Sequence, residues 1–210
     1  NENDKFNPLA AALKVHTIWF VNTVSGGRKG VALKSLLKRR FGTRVVADLA
    51  RDGEAQDVLR AFTPLINEKE HICCVVCGGD GTVGWVLQHI NDSKELRLEN
   101  LPIAIFPLGT GNDLSRALGW GGGILKNIDD DFLIEYLMEL EAATPERIDQ
   151  WHAHVDTNVF RYLNSNNEFM RGRNKLSQSK DALPMAGYLG LGIDAQIAME
   201  FDAQRRRTPN

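Results

Sequence analysis

Nowhere does the chain run apolar for the length that a membrane-spanning helix needs. No cleavable signal pattern opens it. Neither sign of charge dominates: 25 Lys and Arg against 27 Asp and Glu leave a net charge of −2. That balance supplies no global basic field for nucleic acid or an anionic membrane, and no nucleic-acid partner is expected. Cysteine is scarce, three residues in 210, all within His71-Ile-Cys-Cys-Val-Val-Cys77. An odd, clustered set is a poor disulfide framework. Zinc would need further ligands at suitable spacing, and none follow nearby. Cys73, Cys74 and Cys77 therefore read as buried strand residues of a protein kept in a reducing compartment, the cytosol. Three nucleotide motifs are also missing. There is no Gly-x-x-x-x-Gly-Lys-[Ser/Thr], no set of strand lysine, His-Arg-Asp and Asp-Phe-Gly, and no Gly-x-Gly-x-x-Gly after the first strand. P-loop, protein-kinase and Rossmann dinucleotide sites are excluded on that ground.

What is present suits a globular protein: 43% apolar and 25% charged residues sit near the averages. The chain opens on Asn1 rather than Met, as expected of a cut inside a longer protein. Residues 1–15 read as a leader of uncertain order. Four strand–loop–helix units follow. Thr17-Ile-Trp-Phe-Val21 is an apolar strand, the loop runs from Asn22 to Gly30, and Leu33, Leu36, Leu37 and Phe41 recur at helical spacing. Thr43-Arg-Val-Val-Ala-Asp48 and a helix from about Ala55 to Ile66 make a weaker unit. Cys73 to Cys77, a loop over Gly78 to Thr82, and Val83, Val86, Leu87 and Ile90 make the clearest one. Pro102 to Phe106 is the fourth strand, Pro107 to Asn112 its loop, and Asn112 or Asp113 can cap a helix near Leu114. A further helix starts at Asp129 to Asp131, with Leu133, Tyr136, Leu137 and Leu140 as its apolar stripe.

The texture then changes. Residues 147–157 alternate apolar and polar, as in a sheet of another kind. Residues 164–180 read as a flexible loop, order returns at Met185, and a helix is expected near Asp194. The expected fold class is α/β: a parallel-sheet nucleotide-binding domain over residues 16–146, with Gly-rich loops at strand C-termini. The incomplete start of a β-rich accessory domain follows over residues 147–210.

Loops that leave the carboxyl ends of parallel strands share one edge. Three such loops are rich in glycine, which lets backbone approach a ligand closely. Two run straight into helix N-termini, where free N–H groups and the helix dipole favour anions. Together they point to a phosphate-bearing ligand, with a nucleotide the common case. In Gly78-Gly-Asp-Gly-Thr82, three glycines surround one acid. Asp80 reads as a functional carboxylate, and an Asx-turn or a helix cap is the bland reading.

Gly78-Gly-Asp-Gly-Thr-Val-Gly-Trp-Val-Leu87 resembles the signature of eukaryotic diacylglycerol kinases. Pro107-Leu-Gly-Thr-Gly-Asn-Asp-Leu-Ser-Arg116 with Trp120-Gly-Gly-Gly123 resembles the next block, and Asn22-Thr-Val-Ser-Gly-Gly27 the first phosphate loop. Arg147-Ile-Asp-Gln-Trp151 and Gly192-Ile-Asp-Ala-Gln-Ile197 look like the opening of that family's accessory domain. The resemblance runs from about residue 16 to the end. It implies transfer of the γ-phosphate of ATP to the hydroxyl of 1,2-diacylglycerol, with phosphatidic acid as product and a role in lipid signalling. Asn22, Ser25, Gly26, Gly27 and Arg28 would hold phosphate. Gly78, Gly79, Asp80, Gly81 and Thr82 would line the nucleotide, with Thr110, Gly111 and Asn112 close by. Asp80 would serve as the catalytic acid–base group or the Mg²⁺ ligand, and Asp194 would contact the lipid head group or, equally, cap its own helix.

The resemblance also implies a cytoplasmic protein recruited to the membrane surface where diacylglycerol lies. Arg205-Arg-Arg207 reads as a solvated charge run rather than a headgroup contact. Arg28 or Lys29 would add positive charge at the phosphates. Further acidic site residues of the family lie past Asn210, so a general base outside this chain is the rival to Asp80. A sphingosine, ceramide or NAD kinase of the same superfamily is the alternative enzyme. A nucleotide-binding regulatory module without turnover is the alternative of another class.

Overall fold

Strand β1 (His16–Val21) is apolar on both sides because both sides are covered. Trp19 and Val21 face one core, and Ile18 and Phe20 face the other. The computed structural model describes residues 15–24, 29–68, 71–91, 93, 95, 96, 98–124, 127–149, 151–154, 182–185 and 192–207.

Helix α1 (Lys29–Phe41) follows β1, then β2 (Val46–Asp48), α2 (Glu54–Asn67), β3 (Ile72–Gly78), α3 (Asp80–Asn91), β4 (Ile103–Pro107), α4 (Asp113–Ala117) and α5 (Asp130–Ala142). The four strands form one parallel sheet in the order β2-β1-β3-β4. Leu33, Leu36 and Leu37 of α1 and Leu133, Tyr136, Leu137 and Leu140 of α5 cover one face. Val58, Leu59 and Ile66 of α2 and Val83, Val86 and Ile90 of α3 cover the other. The α/β architecture with a parallel sheet is thus as expected. Cys73, Cys74 and Cys77 are free, buried thiols split between the two cores. Burial pushes Cys73 up to about 12 and raises Cys74 and Cys77 as well.

Several boundaries differ from the sequence reading. Residues 43–45 form a short 3₁₀ turn after Gly42, whose φ of 86° breaks the chain direction, so β2 keeps only Val46–Asp48. Helix α1 begins at Lys29, inside the segment read as loop. Helix α3 begins at Asp80, so Asp80, Gly81 and Thr82 are its first turn rather than loop. In the tail, β5 (Trp151–His154) pairs antiparallel with β6 (Ala182–Met185), and α6 (Ile193–Arg207) follows. Residues 147–149 carry no regular structure, so the first tail strand starts later than its alternation suggests. The leader through residue 14 and the loop reading of residues 164–180 lie outside the described residues.

Candidate active site

The sheet order places a topological switch between β1 and β3. The chain leaves β1 for β2 on one side and returns to β3 on the other. In open parallel sheets, ligands bind outside the carboxyl ends of strands at such a point. Asn22, directly after β1, and Thr82, in the first turn of α3, meet across this switch. The Asn22 amide Nδ2 donates to Thr82 Oγ1 at 3.0 Å. Asn22 Oδ1 accepts from the backbone N–H of Val24 at 3.2 Å, an Asx-type turn that orients the amide. The ladder continues past the strands here: Asn22 N–H donates to the Cys77 carbonyl, and Leu108 N–H to the Gly78 carbonyl.

The β3 and β4 loops touch through glycine. A Cβ on Gly79 would stand 3.1 Å from the Gly109 Cα, and one on Gly109 would stand 2.7 Å from Asn112 Oδ1 while striking Gly79. Only hydrogen fits at this seam. Asn112 is buried at φ 55°, a left-handed conformation that asparagine tolerates better than most side chains. Its Nδ2 donates to the carbonyls of Gly109 and Gly122 at 2.7 and 2.9 Å. Its Oδ1 is buried and has no hydrogen-bond partner among the described residues.

Asn112 occupies the capping position of α4 but its side chain caps nothing. The carboxylate of Asp80 does so instead, from the neighbouring helix. Oδ2 accepts from Asp113 N–H and Oδ1 from Leu114 N–H, each at 3.0 Å. The cap expected from Asn112 or Asp113 is therefore supplied across the crevice. The reason is geometric: Asn112 spends its amide on the two glycine loops, and Asp113 pairs with Arg116 on the outside.

A third group of contacts was not visible in the sequence reading. Asp48 ends β2 with its side chain 5% exposed. It accepts from Thr23 Oγ1 at 2.8 Å and from Lys34 Nζ at 2.7 Å. Burial alone would raise this carboxyl. The hydrogen bonds from Lys34, Thr23 and the Ala50 N–H outweigh it and hold the group below the usual carboxylate range. An acid closing an apolar strand at the carboxyl edge was the available signal.

Asn22, Gly78, Gly79, Asp80, Thr82 and Asn112 thus come together, with Gly81, Thr110 and Gly111 on the exposed side. Ser25, Gly26, Gly27 and Arg28 lie outside the described residues. Lys29 Nζ is directed to the Ile124 carbonyl at 2.6 Å. Asp194 sits exposed in the first turn of α6, and among the described residues no hydrogen bond or ion pair joins it to the cluster. Among the described residues no group of three or more His, Cys, Asp and Glu gathers to cage a metal. Magnesium at a nucleotide is commonly held by one or two carboxylates with phosphate oxygens and waters. The Asp80 carboxylate at the crevice fits that donor set.

The protein is of the open parallel α/β class, with glycine-lined turns at the switch point of its sheet. The family model described as diacylglycerol kinase catalytic domain matches residues 16–138, and the chain belongs to that family. It is 33% identical over 206 residues to diacylglycerol kinase iota of Homo sapiens, covering 96% of this chain and 17% of that protein. It is 32% identical to diacylglycerol kinase zeta of Homo sapiens, covering 96% of this chain and 20% of that one. The chain therefore spans about a fifth of the length of these relatives. A solved diacylglycerol-kinase candidate of Bacillus anthracis str. Sterne overlaps 69% of this chain and 45% of its own. It is 18% identical, with a TM-score of 0.39.

Proposed function

We propose that this chain is the ATP-binding core of a lipid kinase that transfers the γ-phosphate of ATP to the free hydroxyl of 1,2-diacylglycerol. The product would be phosphatidic acid, a lipid messenger. The observation that carries the reading is the meeting of Asn22 and Thr82 across the switch between β1 and β3, beside the glycine seam of Gly79 and Gly109.

Phosphoryl transfer asks for positioning and charge stabilisation more than covalent help. In the first turn of α3 the Thr82 and Val83 N–H groups donate to the Gly79 carbonyl, which leaves those of Asp80 and Gly81 without an acceptor in the helix, and the positive end of the helix dipole lies with them. They and the segment after Asn22, with Ser25, Gly26, Gly27 and Arg28, hold the ATP phosphates. Asn22 and Thr82 set the width between the two loops. Thr110, Gly111 and Asn112 close the far side. Asp80 would hold Mg²⁺, which supplies charge neutralisation on the phosphate oxygens when bound. Each Asp80 oxygen accepts one N–H bond and keeps acceptor capacity, so the carboxylate can also orient the attacking hydroxyl. Asp194 would meet the lipid head group, with residues 147–210 as the start of the accessory domain. The protein would work from the cytoplasm at the membrane surface.

The test is transfer of labelled phosphate from Mg-ATP by the full-length protein to four acceptors in parallel: diacylglycerol in mixed micelles, sphingosine, ceramide and NAD. Phosphatidic acid from diacylglycerol alone is the expected result. Product from another acceptor would overturn the substrate, and ATP binding without any product would favour the regulatory module.

A further inference from the structure

We propose that Asp48 is the positioning residue of the phosphate-binding segment, a clamp on both ends of the connection from β1 to α1. The inference rests on the reading above, in which that connection holds the ATP phosphates.

Asp48 stands level with Val21, its register partner at the end of β1. Thr23 is the second residue beyond that end, and its hydroxyl donates to Asp48 Oδ1 at 2.8 Å. Lys34, in the second turn of α1, donates to Oδ2 at 2.7 Å. One carboxylate thus grips the way out of the strand with one oxygen and the helix that receives the chain with the other. Arg51 Nε, on an exposed side chain, is the other cation facing it, 4.0 Å from Oδ2.

The two ends are also pressed together. A Cβ on Gly30 would stand 2.8 Å from the Thr23 Cα and would strike the Asn22 carbonyl. The first turn of α1 therefore lies directly on the backbone of Asn22 and Thr23. Shifting Thr23 moves Asn22, whose amide spans to Thr82 at 3.0 Å. The clamp is itself anchored: Asp48 N–H donates to Glu54 Oε2 at 2.8 Å, Ala50 N–H donates to Asp48 Oδ1 at 3.0 Å, and Leu49 N–H donates to the Val21 carbonyl. Buried groups arranged in this way hold one geometry because each loses its partner if any other moves.

A residue that merely stabilised the fold would lower thermal stability without favouring one substrate. A clamp on the phosphate segment changes ATP handling first. The variants are Thr23→Val, Thr23→Ser and Asp48→Asn in the full-length protein. They are compared by hydrogen exchange of peptides spanning residues 17–30 without nucleotide, by KM for ATP and for diacylglycerol, and by Tm. Thr23→Val keeps the pair of Asp48 with Lys34 and keeps the proposal testable should Asp48→Asn fail to fold.

Thr23→Val should speed exchange around Asn22 and Val24 and raise KM for ATP by about tenfold, the scale of one hydrogen bond to a charged group. KM for diacylglycerol should stay within about twofold in the same variant. Thr23→Ser, which retains the hydroxyl, should restore both readings. Unchanged exchange in Thr23→Val would overturn the clamp, and faster exchange with unchanged KM for ATP would overturn its role at the phosphates. A wild-type protein that neither binds ATP nor transfers phosphate would instead overturn the functional reading, and the exchange data would still judge the clamp.

Discussion

The carboxylate of Asp80 caps Leu114: Oδ1 accepts the Leu114 N–H at 3.0 Å, and Oδ2 accepts the neighbouring Asp113 N–H at the same distance. One acid thereby joins the turn after β3 to the start of α4, 33 and 34 residues further along the chain.

Replacing Asp80 separates this structural role from a chemical one. Asp80→Ala removes both acceptors and should destabilise the chain by about 1–2 kcal/mol, the usual cost of a lost N-cap. Asp80→Asn keeps one carbonyl oxygen and should cost less than about 1 kcal/mol. Urea unfolding of the two variants checks the order. Losses below about 0.5 kcal/mol in both variants would mean that the cap contributes little.

The fit at the glycine seam predicts a steric lesion. Gly109→Ala places a methyl group against Gly79 and 2.7 Å from Asn112 Oδ1. Overpacking of this kind costs about 1–3 kcal/mol. The loops should also spread, so ATP affinity measured by calorimetry on the full-length protein should fall. A variant as stable as wild type with unchanged affinity would contradict the close approach.

Acid should destabilise the chain through two carboxylates. Hydrogen bonds from Arg40 hold Asp130 low against a smaller effect of burial, and the Arg40 charge adds to them. Asp48 is also held low, against burial. A depressed folded-state value contributes stability that is present above the unfolded value, about 3.9, and lost as pH falls through the folded one. Stability should therefore drop steeply below about pH 4. Asp130→Asn should flatten that part of the profile, and unfolding curves parallel to wild type would remove Asp130 from the account.

Burial should also silence the thiols. Cys73 is pushed up to about 12, and Cys74 and Cys77 are raised further from ionisation. The thiolate is the reactive form, so native protein at about pH 8 should leave all three unmodified by iodoacetamide. Mass mapping of the peptide that contains them should find full alkylation only after denaturation.

The strands were legible because burial on both faces writes continuous apolar runs such as Ile18-Trp-Phe-Val21 and Cys73-Cys-Val-Val-Cys77. The helix stripes were legible for the matching reason: Leu133, Tyr136, Leu137 and Leu140 are all buried. Helix starts were harder. Glycine around Asp80 reads locally as loop, yet Gly81 and Thr82 already belong to α3, and Thr82 is packed beneath Gly78. The cap on α4 was hidden because its acceptor comes from another helix. Asp48 was hidden because β2 has only three residues, too few to show a pattern, and its partners Thr23 and Lys34 sit on other elements. The convergence of the glycine loops on one edge follows from parallel topology alone, which is why Asn22, Gly79 and Asn112 could be assigned together.

The most direct test of the central claim is transfer of labelled γ-phosphate from Mg-ATP to diacylglycerol by the full-length protein and by its Asp80→Asn variant. Each would be checked for folding and for ATP binding. Phosphatidic acid is expected from the wild type, and from the folded variant a rate lower by at least about a hundredfold. Near-normal transfer by folded Asp80→Asn, or no transfer by a wild type that binds ATP, would contradict that claim.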